Sequence, residues 1–376
     1  MRVGIITYHF AENYGSALQA YALASYFNSF DDVDAEILNY VSKRQELNNS
    51  LYGHRNGISN IAVSLAYLPF HYWRNKKHRR FKMFAERKLP LSKRMSTIPE
   101  LSEYINTTYT SSDCIVSGSD QVWNPKINDF DRAFLFPFKT NAKKLGYAIS
   151  LGPALKGDVL DLRKDINDFS SVACREYGAA ATLKSIGLDV DQVVCDPVFL
   201  IDIEHWRDLS KLSAVDYSSK NPYLVCYFLN KQAMKTYYNW AHSLASDMGL
   251  EPIIINAAYS AHTFQKGVIL DAGPLEFLNL LMNASFVCTD SFHGTALSAL
   301  FEKQFLSFDR EAGSVDTRKA DLLNEIGLLS RLKRIGEYSG GLVEPLTQSD
   351  FEKAAILRNQ YILRSSEYIV KRYLDL

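Results

Sequence analysis

The sequence predicts an α/β protein made of two doubly wound domains that face a cleft. Short apolar runs rich in β-branched residues alternate with helical patterns along most of the chain, which is typical of parallel sheets covered by helices. The alternation occurs twice, and the polar stretch 203–221 separates the two series. The chain of 376 residues also exceeds the size of one compact core. We therefore expect domains over 1–202 and 203–349, followed by a terminal helix over 350–376 that packs back on the first domain.

The first series opens with a strand, a helix and a second strand, and a βαβ unit of this kind is typical of doubly wound sheets. Later apolar runs continue the sheet after an interruption over 42–105. The predicted strands cover 2–7, 35–40, 113–118, 144–150, 171–175 and 192–197, and the predicted helices cover 16–27, 156–168 and 176–186.

The second series repeats the pattern and ends in a long amphipathic tail. In doubly wound domains the ligand site lies at the carboxyl ends of the strands, so we expect it in the cleft. The predicted strands cover 223–229, 251–256, 285–290 and 304–308, and the predicted helices cover 231–248, 274–283, 294–302 and 350–374.

Composition and charge exclude several classes of function. Lys plus Arg and Asp plus Glu both number 42, so no general attraction to nucleic acid is indicated. The five cysteines are scattered without a CxxC pattern, which argues against a zinc site or disulfide framework and favours the reducing cytosol. No stretch approaches the ~20 apolar residues of a membrane span. We expect a cytoplasmic protein without a metal or other cofactor.

The segment 74–88 is strongly basic, with Phe81 and Phe84 at helical spacing. One interpretation is a solvated helix held by these two phenylalanines. The other is a basic face for an anionic membrane or a phosphorylated lipid carrier. The sequence leaves both open.

The segment TDSFHGTALSALF (289–301) is the strongest candidate site, because it places polar side chains where a strand passes into a helix. Such a turn directs backbone N–H groups at a ligand and favours anions. His293 is placed to donate a proton or to hold a negative oxygen, although a lone histidine is often structural. Ser291, Gly294 and Thr295 are the candidate ligand-binding residues around it.

Two further strand ends carry candidate residues. After the first strand lie His9 and Asn13, in the βα turn that often touches ligand, although Asn13 is equally suited to cap the helix. The segment SGSDQVWNP (117–125) offers Asp120, which also suits a turn or a helix cap. No dinucleotide-binding glycine pattern is present.

Arginines complete the set of candidates. Arg175 ends a predicted buried strand and needs an anionic partner there, either a protein carboxylate or a ligand. Arg310 and Arg318 follow the last strand and either face the cleft or lie on an exposed loop.

Seven segments in order show that the chain resembles the polysaccharide pyruvyl transferase family over nearly its whole length. The resemblance implies two Rossmann-like domains in the GT-B arrangement, phosphoenolpyruvate as donor and a pair of sugar hydroxyls as acceptor, on a polysaccharide or its lipid-linked precursor. The segments are TYHFAENYGSALQAYAL, GSDQVWNP, YAISLG, CREYGAAATLKSIGL, VVCDPVFL, EFLNLLMNASFVCTDSFHGTALSALF and DTRKADLLNEIGL.

The resemblance also assigns residues. The family's histidine falls on His293 and the arginine of its Arg-Glu motif on Arg175. Family members that form a ketal carry an arginine two residues before the histidine, where this chain has Ser291. Either another cation, Arg310 or Arg318, holds the donor phosphate, or the donor is different.

The chemistry of phosphoenolpyruvate agrees with these assignments. Its phosphate and carboxylate need helix N-termini and cationic side chains. Its methylene carbon needs an acid, for which His293 is the best candidate, and the acceptor hydroxyl needs a base, for which Asp120 or His9 is the best candidate. Two other functions stay open: a glycosyltransferase that uses a nucleotide sugar, and a non-catalytic protein that binds glycan or phosphate. The sequence does not determine the acceptor sugar or the oligomeric state.

Overall fold

Two parallel β-sheets of six strands each form the frame of the protein. The structure is a computed structural model that describes residues 1–50, 68–230, 234–255, 266–309, 317–334 and 343–374. Every strand pairing in both sheets is parallel. The α/β class predicted from the alternation of strands and helices is confirmed.

The first sheet has the strand order β2-β1-β3-β4-β5-β6. Most of its residues are buried, as strands covered by helices on both faces require. The chain turns in opposite directions after β1 and β3, so the topological switch point lies between these two strands. The strands are β1 (Arg2–Ile6), β2 (Asp34–Ile37), β3 (Cys114–Ser117), β4 (Lys143–Ile149), β5 (Ser171–Cys174) and β6 (Gln192–Val193).

The second sheet has the order β12-β11-β10-β7-β8-β9. This is the 3-2-1-4-5-6 order of dinucleotide-binding domains, and its switch point lies between β7 and β10. The short edge strands β9 and β12 were not predicted. The strands are β7 (Tyr223–Tyr227), β8 (Glu251–Ile255), β9 (Val268–Ile269), β10 (Phe286–Thr289), β11 (Gln304–Asp309) and β12 (Leu332–Arg334).

Helices cover both sheets and connect their parallel strands. The predicted helix 156–168 is broken into three short pieces, the middle one the 3₁₀ turn Leu160–Leu162. The helices are α1 (Tyr14–Phe27), α2 (Lys43–Asn48), α3 (His71–Lys88), α4 (Ile98–Thr108), α5 (Lys156–Val159), α6 (Arg163–Ile166), α7 (Tyr177–Ser185), α8 (Ile203–Ser210), α9 (Met234–Asp247), α10 (Pro274–Asn283), α11 (Phe292–Leu300), α12 (Arg318–Glu325) and α13 (Gln348–Ile369).

Helices α1 and α3 join the half of the molecule built on the first sheet to the half built on the second. The Tyr14 ring at the start of α1 stacks on Phe277 of α10, with ring centroids 4.4 Å apart. The Tyr14 hydroxyl also donates to the Ala272 carbonyl at 3.0 Å. From α3, Arg80 donates to the Asp271 carbonyl at 2.7 Å. These contacts hold the carboxyl ends of the two sheets opposite each other.

The C-terminal helix packs back on the first sheet, as expected from the sequence. The Tyr361 hydroxyl donates to the Val194 carbonyl at 2.8 Å, and the Ser365 hydroxyl accepts from the Cys195 N–H at 2.9 Å. Arg358 also reaches the other half of the molecule, where it donates to the Ala299 carbonyl at the end of α11 at 3.1 Å.

The strands of the first sheet all precede residue 203, and those of the second all follow it. Helix α8, at the start of the second half, contacts α10 through a hydrogen bond from the Asn279 amide to the Ser210 carbonyl at 3.2 Å. The domain boundaries at 202/203 and 349/350 themselves stay a prediction. Among the described helices, none is long and apolar enough to cross a membrane.

Candidate active site

The candidate active site is a cavity of about 360 Å³ between the two sheets. Loops that follow β1, β3, β7 and β10 line it, so it lies at both topological switch points, where doubly wound sheets bind ligands. Residues from these loops and from the start of α12 form its wall: Asn13, Asp120, Gln121, Asn124, Asn230, Asp290, Ser291, His293, Arg318 and Lys319. We call it the cleft cavity.

His293 lies in the first turn of α11, at the cleft cavity. The helix begins here because Ser291 caps it, its hydroxyl accepting from the Gly294 N–H at 3.3 Å. A side chain at position 294 would collide with Thr289, since a Cβ there would lie 2.4 Å from its Oγ1. Gly294 thus lets the helix start against the end of β10 and directs His293 into the cleft.

Asp196 and Arg175 hold the imidazole of His293 from the side of the first sheet. His293 Nε2 lies 3.3 Å from Asp196 Oδ2, and Arg175 Nη1 lies 2.6 Å from the same oxygen. The guanidinium also stacks on the Phe292 ring, 4.1 Å from its centroid. Arg175 Nη1 also lies 3.5 Å from Nε2, but the contact with Asp196 is shorter. Because a carboxylate only accepts hydrogen bonds, we assign the Nε2 proton to the contact with Asp196. This fixes the orientation of the ring.

The ionisation of this cluster follows from its charges. Burial raises the pKa of Asp196, but the charge of His293, its hydrogen bond and the charge of Arg175 outweigh burial and hold that pKa well below its usual range. Burial lowers the pKa of Arg175, yet Asp196, Asp120 and Glu176 together raise it above its usual value. The pair is therefore buried and ionised.

Asp120 adds a second carboxylate at the cleft cavity. Its φ of 75° lies in the left-handed region that non-glycine residues rarely adopt. Hydrogen bonds hold it there, because its carbonyl accepts from the Ser150 N–H at 3.1 Å and its Oδ2 accepts from the Ser16 hydroxyl at 2.9 Å. Strained backbone of this kind clusters at functional sites.

The pKa of Asp120 is also lowered. Burial raises it, but the charges of Arg175, His293 and Arg318 prevail over burial. Arg175 Nη2 lies 3.4 Å from Asp120 Oδ1. Arg175 thus connects the two carboxylates of the site.

The N-terminus of α1 closes the opposite side of His293. Asn13 caps α1 by accepting from the Ser16 N–H at 3.2 Å, which confirms the capping interpretation, and it also lines the cleft cavity. Gly15 follows in the first turn, where a Cβ would lie 2.2 Å from His293 Nδ1. The absence of a side chain at position 15 is what allows the imidazole to pack against this helix.

Cationic and acidic side chains together line the cleft cavity on the side of the second sheet. Arg318 and Lys319 begin α12, and Lys319 Nζ donates to the Asp290 carbonyl at 3.0 Å. The Asp290 carboxylate accepts from the N–H groups of Leu229 and Asn230 at 2.6 and 2.8 Å. Burial raises the pKa of Asp290, despite these bonds and the charge of Lys319.

The structure brings together part of the set of site residues predicted from the sequence. Asn13, Asp120, Ser291, His293 and Arg318 all line the cleft cavity. Arg310 lies outside the described residues.

The remaining predicted residues are placed away from that wall. The guanidinium of Arg175 is buried behind it and is bound by protein carboxylates, which is the structural alternative considered for this residue. Gly294 serves helix packing, and the Thr295 hydroxyl is bonded to the Ser291 carbonyl at 2.9 Å. His9 faces a different cavity.

Among the residues of the site that were not predicted, Asp196 and Lys319 carry charges that the proposed chemistry uses. Asp196 follows an apolar run in VVCDP, as Asp120 follows one in SGSD, so the same criterion of an acid at a strand end could have found it. Lys319 is adjacent to Arg318 at a helix start, which was an available signal as well. In the part of the chain that the structure describes, no three His, Cys, Asp or Glu side chains are arranged to hold a metal ion.

The fold and the cleft place the protein among α/β proteins of GT-B architecture. It is similar to the UDP-GlcNAc 2-epimerase of Neisseria meningitidis, bound to UDP-GlcNAc, with 13% identity, 100% of both chains covered and a TM-score of 0.55. It is also similar to the UDP-GlcNAc 2-epimerase of Methanocaldococcus jannaschii, in complex with UDP-GlcNAc and UDP, with 13% identity, 99% of both chains covered and a TM-score of 0.53. At such identity these similarities establish the fold alone.

The family is established by sequence. Residues 13–311 match the family model described as polysaccharide pyruvyl transferase. No curated protein sequence is significantly similar to the chain. The chain belongs to the polysaccharide pyruvyl transferase family, and it is an enzyme of this kind.

Proposed function

We propose that the protein transfers the enolpyruvyl-derived group of phosphoenolpyruvate to two hydroxyls of a sugar. One hydroxyl proton ends on the methylene carbon, which becomes a methyl group, and the other leaves with the phosphate. Two C–O bonds to the sugar form and the bond to phosphate breaks, so the products are a pyruvate ketal and inorganic phosphate. The proposal rests on one observation: His293, which contacts Asp196, lines the same cavity as the cationic side chains Arg318 and Lys319.

The second half of the molecule supplies the groups for a dianionic donor. The N-termini of α11 and α12 both border the cleft cavity, and helix N-termini favour phosphate and carboxylate groups. Arg318 and Lys319 add positive charge on the same side. Arg318 thereby takes the role of the cation that Ser291 does not provide.

The proton transfers are assigned to two side chains at the cleft cavity. His293 donates its Nδ1 proton to the methylene carbon of the donor, and Asp196 keeps the ring in place through Nε2. Asp120 accepts the proton of the attacking hydroxyl. Its lowered pKa makes it a weak base, so the proton moves as the new C–O bond forms. His9 has no part in this scheme, because its ring lies at another cavity.

The acceptor is a polysaccharide or its lipid-linked precursor, and the proposed location is the cytoplasm. All five cysteines are buried and free of disulfides, which is typical of proteins from reducing compartments.

Calorimetric titration of the protein with phosphoenolpyruvate and, separately, with UDP-GlcNAc tests the donor. We expect phosphoenolpyruvate to bind and the Arg318→Ala variant to bind it at least tenfold more weakly, because one charge-assisted contact contributes about 1.5–3 kcal/mol. Arg207→Ala, which removes an exposed arginine of α8, is the matched control and should bind normally. Binding of UDP-GlcNAc without binding of phosphoenolpyruvate would refute the proposed donor.

A further inference from the structure

A second cavity of about 360 Å³ lies beside the cleft cavity, on the half of the molecule built on the first sheet. Helix α3 and the loop after β1 line it, and we call it the side cavity. His9, Phe10 and Glu12 of that loop face the side cavity, while Asn13 faces the cleft cavity. Cα atoms of consecutive residues lie ~3.8 Å apart. The two cavities therefore lie next to each other, on opposite sides of this loop.

Aromatic rings form the apolar part of the side cavity. Phe81 and Phe84 of α3 are anchored in the core, with 7% and 3% of their surface exposed. The ring of Phe10 is more accessible and is held edge-on by His9, with ring centroids 5.6 Å apart. Aromatic surfaces with a polar margin suit a ligand that has both C–H faces and hydroxyl groups.

A buried polar pair lies at one end of the side cavity. His9 Nε2 contacts Asn39 Oδ1 at 3.2 Å, and His9 Nδ1 contacts the Thr7 carbonyl at 3.1 Å. Burial lowers the pKa of His9, despite the bonds to Thr7 and Asn39. The Asn39 amide lines the side cavity. Its Nδ2 contacts the Ser92 carbonyl at 3.5 Å and its Oδ1 faces His9, which leaves the second N–H and the second lone pair of this amide for an uncharged ligand.

Acidic side chains around the side cavity contact a guanidinium or an imidazole. Glu12 Oε1 contacts His78 Nδ1 at 2.7 Å, and Arg94 Nη2 lies 3.4 Å from Glu46 Oε1. Paired charges and amide groups match the hydroxyls of an uncharged ligand.

We propose that the side cavity binds an uncharged sugar unit of the acceptor, next to the unit that is modified. This inference rests on the proposed function for the identity of the reaction. The cleft cavity then holds the donor and the reacting hydroxyls, and the side cavity determines which glycan is aligned with His293. Phe10 contacts the sugar ring and Asn39 binds its hydroxyls.

Saturation-transfer difference NMR without donor tests this site. The probes are methyl β-D-galactopyranoside, methyl α-D-glucopyranoside and N-acetyl-D-glucosamine, each at millimolar concentration. We expect at least one probe to give a signal with the wild type, and that signal to fall at least fivefold in Phe10→Ala and in Asn39→Ala. Phe30→Ala, which truncates a phenylalanine of similar exposure elsewhere on the same half of the molecule, should keep the signal.

The outcomes separate this site from the proposed reaction. His293→Gln should keep the sugar signal even though we expect it to lose turnover, because the probe does not need the donor. A wild type that gives no signal with any of the three probes overturns the inference. So does a signal that is unchanged in both Phe10→Ala and Asn39→Ala. If the signal behaves as expected but phosphoenolpyruvate does not bind, the donor assignment fails and the sugar site stands.

Discussion

His293 combines contacts from three parts of the chain that are far apart in sequence. Asp196 accepts from Nε2, Gly15 lies against Nδ1, and Ser291 caps the helix that carries the ring. A histidine fixed in this way keeps one orientation in the cleft, which suits directed proton transfer.

His293→Gln should abolish turnover with little change in stability. Glutamine can still donate to Asp196, so the buried carboxylate keeps a partner, but it cannot supply a proton. General acid catalysis typically contributes 10²–10⁴-fold to the rate, and we expect a loss of about that size. Phosphate release measures turnover and thermal unfolding measures stability. A variant that retains most of its turnover would remove His293 from the mechanism.

Asp196→Asn should lower the free energy of unfolding at pH 7 by about 3–5 kcal/mol, because it removes one charge of a buried ion pair. Urea unfolding measures the change. Glu204→Gln, which disrupts an exposed pair with Arg207, is the control and should unfold much like the wild type. An Asp196→Asn variant as stable as the wild type would contradict a buried, ionised pair.

The lowered pKa of Asp196 also predicts how the free energy of unfolding depends on pH. The pKa of Asp196 is lowered on folding from 3.8, so its ionisation stabilises the folded protein above about pH 4 and that contribution is lost as the pH falls further. The difference in free energy of unfolding between wild type and Asp196→Asn should therefore shrink from pH 6 to pH 3. A difference that is constant over this range would contradict the lowered pKa.

At the residue scale the sequence identified His293 and Asp120, because both follow a strand that ends in polar residues. It did not identify Asp196, which lies near the end of the predicted strand 192–197. The sequence left two kinds of partner open for Arg175, a ligand anion or a protein carboxylate. In the structure its guanidinium contacts three protein carboxylates. The pairing of acidic and basic side chains between the two halves of the molecule depends on tertiary contacts. A local sequence pattern does not predict such contacts.

At the scale of elements, the site depends on the close packing of the first turn of α1 against the first turn of α11. Gly15→Ala introduces a methyl group 2.2 Å from His293 Nδ1, so the ring must move. We expect the steady-state rate to fall at least tenfold while the circular dichroism spectrum stays that of the wild type. Gly157→Ala is the matched control, because no atom lies within 4 Å of its new Cβ. Equal activity of the two variants would show that the ring tolerates displacement.

The predicted elements were accurate where apolar patterns dominate and less so where tertiary contacts intervene. Buried strands such as β1 and β10 were predicted within one or two residues of their ends. The helix expected over 156–168 is broken, and Arg132 from another element donates to the Asp161 carbonyl at 3.3 Å inside it. The basic helix α3 is anchored by Phe81 and Phe84, as one of its two interpretations required.

At the scale of the whole molecule, the alternation of strands and helices predicted two doubly wound units and a packed C-terminal helix, and these are present. The alternation could not predict how the units face each other. That arrangement depends on side-chain contacts such as Tyr14 on Phe277 and Arg80 with Asp271.

The C-terminal helix should stabilise the arrangement of the two halves. Arg358 donates to the Ala299 and Leu300 carbonyls and pairs with Glu302 at 3.0 Å. Arg358→Met keeps most of the apolar stem but leaves two buried carbonyls without this donor, so we expect a loss of about 1–3 kcal/mol in the free energy of unfolding. Arg364→Met, which removes a more exposed pair with Glu325, is the control. Equal stability of both variants would contradict this role of the helix.

The central claim is transfer from phosphoenolpyruvate with protonation of its methylene carbon by His293. The most direct test incubates the enzyme in D₂O with [3-¹³C]phosphoenolpyruvate and a panel of bacterial surface oligosaccharides, and follows the labelled carbon by NMR. We predict a ketal methyl group that carries one deuterium, one phosphate released per ketal formed, and neither product with His293→Gln. Unchanged phosphoenolpyruvate across the panel, together with consumption of UDP-GlcNAc in a parallel reaction, would contradict the account.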